Sequence, residues 1–301
     1  MRLVSYRSED GPRAGILRGD EVFDAWGALG EQRRAGLREL IAEGGIERLQ
    51  SADAGAPVAD PELLAPVTDP EKIVCIGLNY RSHAAEAGID PPSSPTFFAK
   101  YRNALAEPGA TVPLPATSEK VDYEAEVAFV IGHRARDVGE DRALDHVAGY
   151  TLFNDLSARD LQFSTPQWMP GKVFDGSAPC GPALVTPDEA GPHDAIELAL
   201  ELNGETMQSA STADLIFSIP QLVAHLSALM TLEPGDLVST GTPSGVGSVR
   251  EPRVWLMPGD VVSTGTPAGV GSTRQPRVWL KPGDEIAINS PTLGRLETRI
   301  G

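Results

Sequence analysis

The feature that most restricts how this chain can fold is a tandem near-repeat. PGDLVSTGTPSGVGSVREPRVWLM (234–257) runs directly into PGDVVSTGTPAGVGSTRQPRVWLK (258–281), with 19 of 24 positions identical and a third start, PGDEI, at 282. Two copies do not make a solenoid, which needs several stacked units to bury a continuous core. The core can therefore use one copy, and about one repeat length must leave the fold. A longer loop adds only ~0.6 kcal/mol per doubling, so a domain tolerates it. The chain must enter through the first copy and leave through the second. The reading thus puts an excursion within 248–275, with Val254, Trp255 and Leu256 packed on the domain or on a partner subunit.

Around the repeat, the pattern is one of many short strands. Gly (31) and Pro (26) together exceed ordinary usage with no collagen period, which implies frequent turns. Residues 2–26 read as strands, with a hairpin at Gly19-Asp20, and 31–50 as one amphipathic helix burying Leu37, Leu40 and Ile41. The Ala/Pro/Asp-rich stretch 51–70 reads as a linker, giving a small N-terminal α+β domain with linker (1–66) and a larger domain (67–301). IVCIGL (73–78) has the continuous apolar run of a strand buried on both faces. EAEVAFVIG, AGYTLF and ELALELNGE follow as strands, the last with an Asn-Gly turn. Segments 80–87, 141–147 and 214–230 read as helical, with Asp214 as a cap and Pro220 starting or kinking the last. The class is α+β, around a rolled β-sandwich or barrel.

Charge narrows the partners. Twenty-five basic against 42 acidic residues leave −17, which argues against nucleic acid or an anionic membrane surface. Cys75 and Cys180 cannot form a disulfide framework. MRLVSYRSED has no apolar signal core, and no run nears the ~18 apolar residues of a membrane span. A cytoplasmic location is expected.

Glu124-Ala125-Glu126 carries the sharpest chemical signal. Residues two apart on a strand share a face. Exposed Glu-x-Glu pairs are common on solvated faces, but both faces of this strand continue into apolar residues. Two carboxylates there repel each other and lose hydration, so they need a cation or a shared proton. All-oxygen ligation favours Mg²⁺ or Mn²⁺ over zinc. Asp155, directly after AGYTLFN, is the candidate third ligand, with helix capping of LSARD as the alternative. Three carboxylates and one divalent ion still leave a net negative charge, and Arg159 and Lys172 are the candidate suppliers of positive charge. His83 and Glu86, three apart, share a face if YRSHAAEAG is helical, so the carboxylate can orient the imidazole. Dinucleotide, P-loop, serine-elbow and His-pair zinc motifs are missing from the sequence. Cys180 has no basic neighbour and reads as a packed small hydrophobe.

The ordered series GLNYRSHAAEAG, PTFFAK, DYEAEVAFVIG, GYTLFNDLSARDLQ, TPQWMPGKVFDGSAPCGP, LNGETMQ, IFSIPQLVAHLS and LEPGDLVSTGTPSGVG resembles the fumarylacetoacetate hydrolase family, its acylpyruvate hydrolase and 2-hydroxyhepta-2,4-diene-1,7-dioate isomerase-like branch, over residues 67–301. The resemblance implies a mixed β-sandwich roll and Mg²⁺ (or Mn²⁺) held by Glu124, Glu126 and Asp155. It also implies a water-activating His83–Glu86 pair, an active-site Lys172, and substrate contacts at Arg159, Gln162 and Thr242; the repeat supplies Thr266 as a rival, but the family's short connection into LEPGDLVSTGTP and its usual exit through KPGDEI put Thr242, not Thr266, at the site. The expected reaction is C–C hydrolysis of a 2,4-dioxo acid through an enolate. The alternatives are decarboxylation or isomerisation of 2-oxo or 2-hydroxydienoate diacids, or a non-catalytic binding protein disabled by the duplication. A small anionic oxo acid is the expected ligand and a homodimer the expected assembly.

Overall fold

The computed structural model describes residues 1–53, 55–257, 262–263 and 287–301. Among these, an eleven-stranded mixed sheet forms the spine. Its path runs Glu21–Asp24, Gly11–Arg18, Arg2–Ser8, Ala178–Val185, Val147–Asn154, Ala125–Ile131, Leu237–Ser239, Ile73–Gly77, Thr96–Lys100. Leu63–Leu64 and Leu105–Ala106 join it at Arg2–Ser8 and Ala178–Val185. Arg2 pairs with Val185, so the N-terminal strands extend this same sheet. A second sheet contains Glu205–Ser211, Glu197–Leu202, Ala287–Ser290 and Gly294–Glu297, with Val262–Ser263 also on Glu197–Leu202. A mixed sheet and an antiparallel one, packed together with few helices, make an α+β sandwich roll.

The Ala125–Ile131 strand is buried along its whole length because its two faces feed two cores. Val127, Phe129 and Ile131 pack with Leu198, Leu200, Leu222 and Leu226. Ala128 and Val130 pack with Leu3, Trp26, Leu37 and Leu40. A polar side chain on this strand therefore has no water to fall back on.

The hairpin at Gly19-Asp20 and the Asn203-Gly204 turn form as expected, both turn residues of the latter having positive φ (53° and 78°). The 31–50 region differs from expectation. Its helix is two short pieces, Leu37–Ala42 and Gly45–Leu49, because Gly36 and the left-handed Gly44 interrupt it. The buried stripe of Leu37, Leu40 and Ile41 survives. The 141–147 segment forms a 3-10 helix, Glu140–His146. Further on, Asp214 is not the cap of the last helix. Ser218 caps Ile219–Leu229 through a reciprocal box with Gln221, and Pro220 sits in the first turn, where its missing N–H is harmless. No helix among the described residues is long and apolar enough to cross a membrane.

The first repeat copy is built into the sheet. Its Leu237–Ser239 strand lies between Ala125–Ile131 and Ile73–Gly77. The described part of the expected excursion, 248–257, packs on the domain, with Val254 against the larger core and 249, 251–253 and 257 exposed. Leu256 is buried in the larger core, and its N–H donates to Val121 O at 2.6 Å. Buried Asp122 is the physical reason, since its carboxylate accepts N–H bonds from Gly247 (2.8 Å) and Ser248 (3.0 Å) and anchors the turn that leads there. Val262–Ser263 pairs with Glu197–Leu202; Thr266 and the remaining residues of the expected excursion lie outside the described residues.

Candidate active site

The antiparallel register sets Glu126 opposite Phe153 and Ala125 opposite Asn154, which brings the end of one strand to the start of the other. Asp155 N–H donates to Glu124 O (2.9 Å) and Asn154 Oδ1 accepts from Glu124 N–H (3.1 Å). Glu124, Glu126 and Asp155 are all buried, with one oxygen of each within 4.8 Å of the others. The Leu237–Ser239 strand closes the other side, where Ser239 Oγ and Gly241 N–H both donate to Glu126. Asp155 does not cap the following helix, whose N-cap is Ala158.

Three cations surround the cluster. Lys172, 2% exposed, bonds Glu124 Oε2 (2.9 Å) and Asp155 Oδ2 (2.6 Å) and stands 5.0 Å from the centre of the Phe98 ring. It is not a surface loop lysine. Arg159 clasps Glu124 Oε1 (2.6 Å) and Asp122 Oδ2 (2.8 Å) and donates to Gln162 Oε1 (3.0 Å). Lys100, at the end of its strand, lies 2.7 Å from Asp155 Oδ1.

These contacts sort the carboxylates. Burial disfavours the Glu124 anion, but Lys172 and Arg159 outweigh it and hold its pKa down to about 2. Glu126 has no ion pair among the described residues. Burial first, then the charges of Asp155 and Glu124, push its pKa well above the carboxylate range. Burial also pulls the Lys100 ammonium down against the attraction of Asp155. For Lys172, Asp155 and Glu124 overcome burial and raise it. A buried, unpaired Glu126 beside two oxygen donors fits a divalent cation, and the all-oxygen set suits a hard one.

His83 and Glu86 lie on the Arg81–Ala87 helix, with Nδ1 3.5 Å from Glu86 Oε2. Glu86 also accepts from Gly245 N–H at 3.0 Å, which ties the helix to the first copy's loop. Gly245 is required there: its φ is +102°, and a Cβ would lie 2.0 Å from Met207 O. Thr242 Oγ1 donates to Ala125 O (2.9 Å) and accepts from Gln208 Nε2 (2.8 Å). The fold thus brings seven of the expected side chains, Glu124, Glu126, Asp155, Arg159, Gln162, Lys172 and Thr242, around one strand junction, and holds His83 and Glu86 on the helix tied to the Gly245 loop. Sequence reasoning missed Lys100, Asp122, Gln208 and Ser239. The only signal for them is membership in the motif stretches PTFFAK, DYEAE, LNGETMQ and LVSTGTP.

The family profile described as Fumarylacetoacetate (FAA) hydrolase C-terminal matches residues 72–262 and 251–301. The chain belongs to the fumarylacetoacetate hydrolase family. The two matches overlap at 251–262, where the first repeat copy runs into the second. The chain is 39% identical to oxaloacetate tautomerase fahd2, mitochondrial, of Xenopus laevis over 268 residues, 85% of this chain and 84% of that one. The fumarylacetoacetate hydrolase of psychrophilic Exiguobacterium antarcticum superposes with a TM-score of 0.81 at 29% identity, covering 100% and 99% of the two chains. The 5-carboxymethyl-2-hydroxymuconate delta-isomerase of Mycobacterium smegmatis gives 0.73 at 31%, covering 100% and 98%. Members of this family with tautomerase, hydrolase and isomerase names therefore share this fold.

Proposed function

We propose that this chain is a divalent-cation-dependent enzyme of small 2-oxo acids that works through their enolates, with oxaloacetate-type diacids as its first substrate class. The observation that carries the reading is Glu126, a buried carboxyl with no ion pair among the described residues, beside Glu124 and Asp155. A divalent ion held by these three residues would supply positive charge opposite the 2-oxo group, which acidifies the adjacent carbon.

The protein's own charges support this. Asp122, Glu124, Glu126 and Asp155 face Lys100, Lys172 and Arg159, leaving one negative charge when all are ionised. A divalent ion turns that into one positive charge in a water-poor setting, complementary to an anionic substrate. His83, oriented by Glu86, is the group able to take a proton from the carbon beside the 2-oxo group and return it. Lys172 adds positive charge where the enolate oxygen would form. Arg159, Gln162 and Thr242 border the same space and are the proposed substrate contacts. The name of the Xenopus relative, an oxaloacetate tautomerase, describes such a proton transfer.

Hydrolytic C–C cleavage of 2,4-dioxo acids of the acylpyruvate or fumarylpyruvate kind is the second reading. The His83–Glu86 pair favours it, since an oriented imidazole can equally activate water. Decarboxylation of 2-oxo diacids and isomerisation of hydroxydienoates use the same enolate. Assay of the purified protein with Mg²⁺ separates these routes: oxaloacetate tautomerisation and decarboxylation, acylpyruvate hydrolysis and hydroxydienedioate isomerisation. Activity confined to acylpyruvates moves the second reading to first place. No turnover in any assay refutes both.

A further inference from the structure

Lys100 has no part in the proposed proton transfers, yet its ammonium abuts the acidic cluster. Nζ donates to Ser177 O (2.7 Å), Ser177 Oγ (3.0 Å) and Leu156 O (3.3 Å), which uses its three protons, and it forms an ion pair with Asp155 Oδ1 at 2.7 Å. Lys172 touches the other oxygen, Oδ2, at 2.6 Å, and Glu124 at 2.9 Å. What else holds each lysine differs. Three neutral acceptors, two of them backbone carbonyls, keep Lys100 in place whatever Asp155 binds. The hydrogen bonds of the Lys172 ammonium go to the two carboxylates that a cation would claim. A cation reaching the cluster would therefore compete with Lys172 for Oδ2, while the Lys100 ammonium, 2.7 Å from Oδ1 though not hydrogen-bonded to it, would repel it from that oxygen.

We propose that Lys100 is a positioning residue that reserves Oδ1 of Asp155, so that this carboxylate offers a cation a single oxygen and the site favours Mg²⁺ over Ca²⁺. Mg²⁺ demands near-octahedral geometry at ~2.0–2.1 Å, which the narrow bite of a two-oxygen carboxylate distorts; Ca²⁺ takes six to eight ligands at ~2.3–2.6 Å and accepts that bite. An Asp155 with both oxygens available would shift the balance toward the larger ion. The inference rests on the reading of Glu124, Glu126 and Asp155 as a cation site.

The test is calorimetric titration of Mg²⁺ and of Ca²⁺ into the full-length, metal-free protein and its Lys100→Met variant. Losing the buried charge strengthens both ions alike, whereas a freed Oδ1 helps Ca²⁺ alone. The ratio Kd(Ca²⁺)/Kd(Mg²⁺) should fall about tenfold or more in the variant. A ratio within twofold of the parent value overturns the role of Lys100 while leaving the cation site standing. A parent protein that binds neither ion overturns the cation reading itself, and this inference with it. If Lys100→Met does not fold, a crystal structure of the parent loaded with Ca²⁺ decides. Asp155 bound through Oδ2 alone, with Lys100 still on Oδ1, supports the inference. Two-oxygen binding by Asp155 or a displaced Lys100 overturns it.

Discussion

Glu126→Gln should stabilise the metal-free protein while abolishing its response to Mg²⁺. The amide keeps an oxygen for Ser239 Oγ and Gly241 N–H, the two donors that face Glu126. What it removes is a buried ionisable carboxyl with no ion pair among the described residues, a kind of group that costs about 1–3 kcal/mol or more. At ~2.1 cal/mol/K of unfolding entropy per residue, a chain of this length shifts by about 1.6 °C per kcal/mol. In EDTA at pH 7.5, the variant should therefore melt about 2–5 °C above the parent. Mg²⁺ at about 100 times its Kd should add about 2.7 kcal/mol, or about 4 °C, to the parent and nothing to the variant. The pH dependence follows from the raised Glu126 pKa. A raised carboxyl favours the fold below the ordinary ~4.3, and that benefit is lost as pH climbs through the raised value, so the variant's advantage should grow with pH and fade toward pH 5. Glu124, held near 2, behaves oppositely: its benefit is present above ~4.3 and lost as pH falls through about 2. Thermal melts by circular dichroism with and without metal read all of this. A variant that melts below the parent in EDTA, or one that keeps the full Mg²⁺ shift, refutes the reasoning.

Three further outcomes are expected. Mg²⁺ binding should release more protons from Glu126, up to one, as the pH is lowered, because its carboxyl is raised above the ordinary range, seen as a growing dependence of the calorimetric heat on buffer ionisation enthalpy; no dependence at any pH would contradict the raised carboxyl. His83→Ala should lower turnover roughly 10²–10⁴-fold with Mg²⁺ affinity unchanged, and a loss under threefold would remove His83 from the chemistry. Deleting residues 263–286 joins Val262, which pairs with Leu202, to the strand whose Asn289 pairs with Ala199, so Ala287 and Ile288 fall opposite Glu201 and Leu200 without a break in register. That shortened chain should keep its melting temperature within about 2 °C, since long loops cost little, and should keep full activity; failure to fold would show that the extra repeat length belongs to the core.

Much of the site is legible along the chain because its carboxylates follow strand periodicity. Glu124 and Glu126 stand two apart at the head of an apolar strand, and Asp155 ends the strand that pairs with it. Lys100 is not legible in that way. A lysine that closes TFFAK reads as a solvated strand end, and only packing brings it to Asp155, 55 positions later. Arg159 and Lys172 are suggested by charge need, whereas Asp122 gives no sign that it clasps Arg159 and two backbone N–H groups at once. The 31–50 helix illustrates the opposite failure. Its apolar stripe is right, but periodicity does not weigh the glycines at 36, 44 and 45 that split it. The division of labour between the two repeat copies is hard to read for a third reason: near-identical copies differ little in local preference, and the pairing against Glu197–Leu202 is a property of the assembled sheet.

Deuterium exchange tests the central claim most directly. The parent protein, with Mg²⁺ in D₂O, should exchange the protons on the carbon beside the 2-oxo group of pyruvate or oxaloacetate, followed by proton NMR. Exchange should stop in EDTA, return with Mg²⁺ or Mn²⁺, and be lost in Glu126→Gln. Exchange at the uncatalysed rate with metal present, or exchange that persists undiminished in EDTA, would contradict enolate formation at a cation held by Glu124, Glu126 and Asp155.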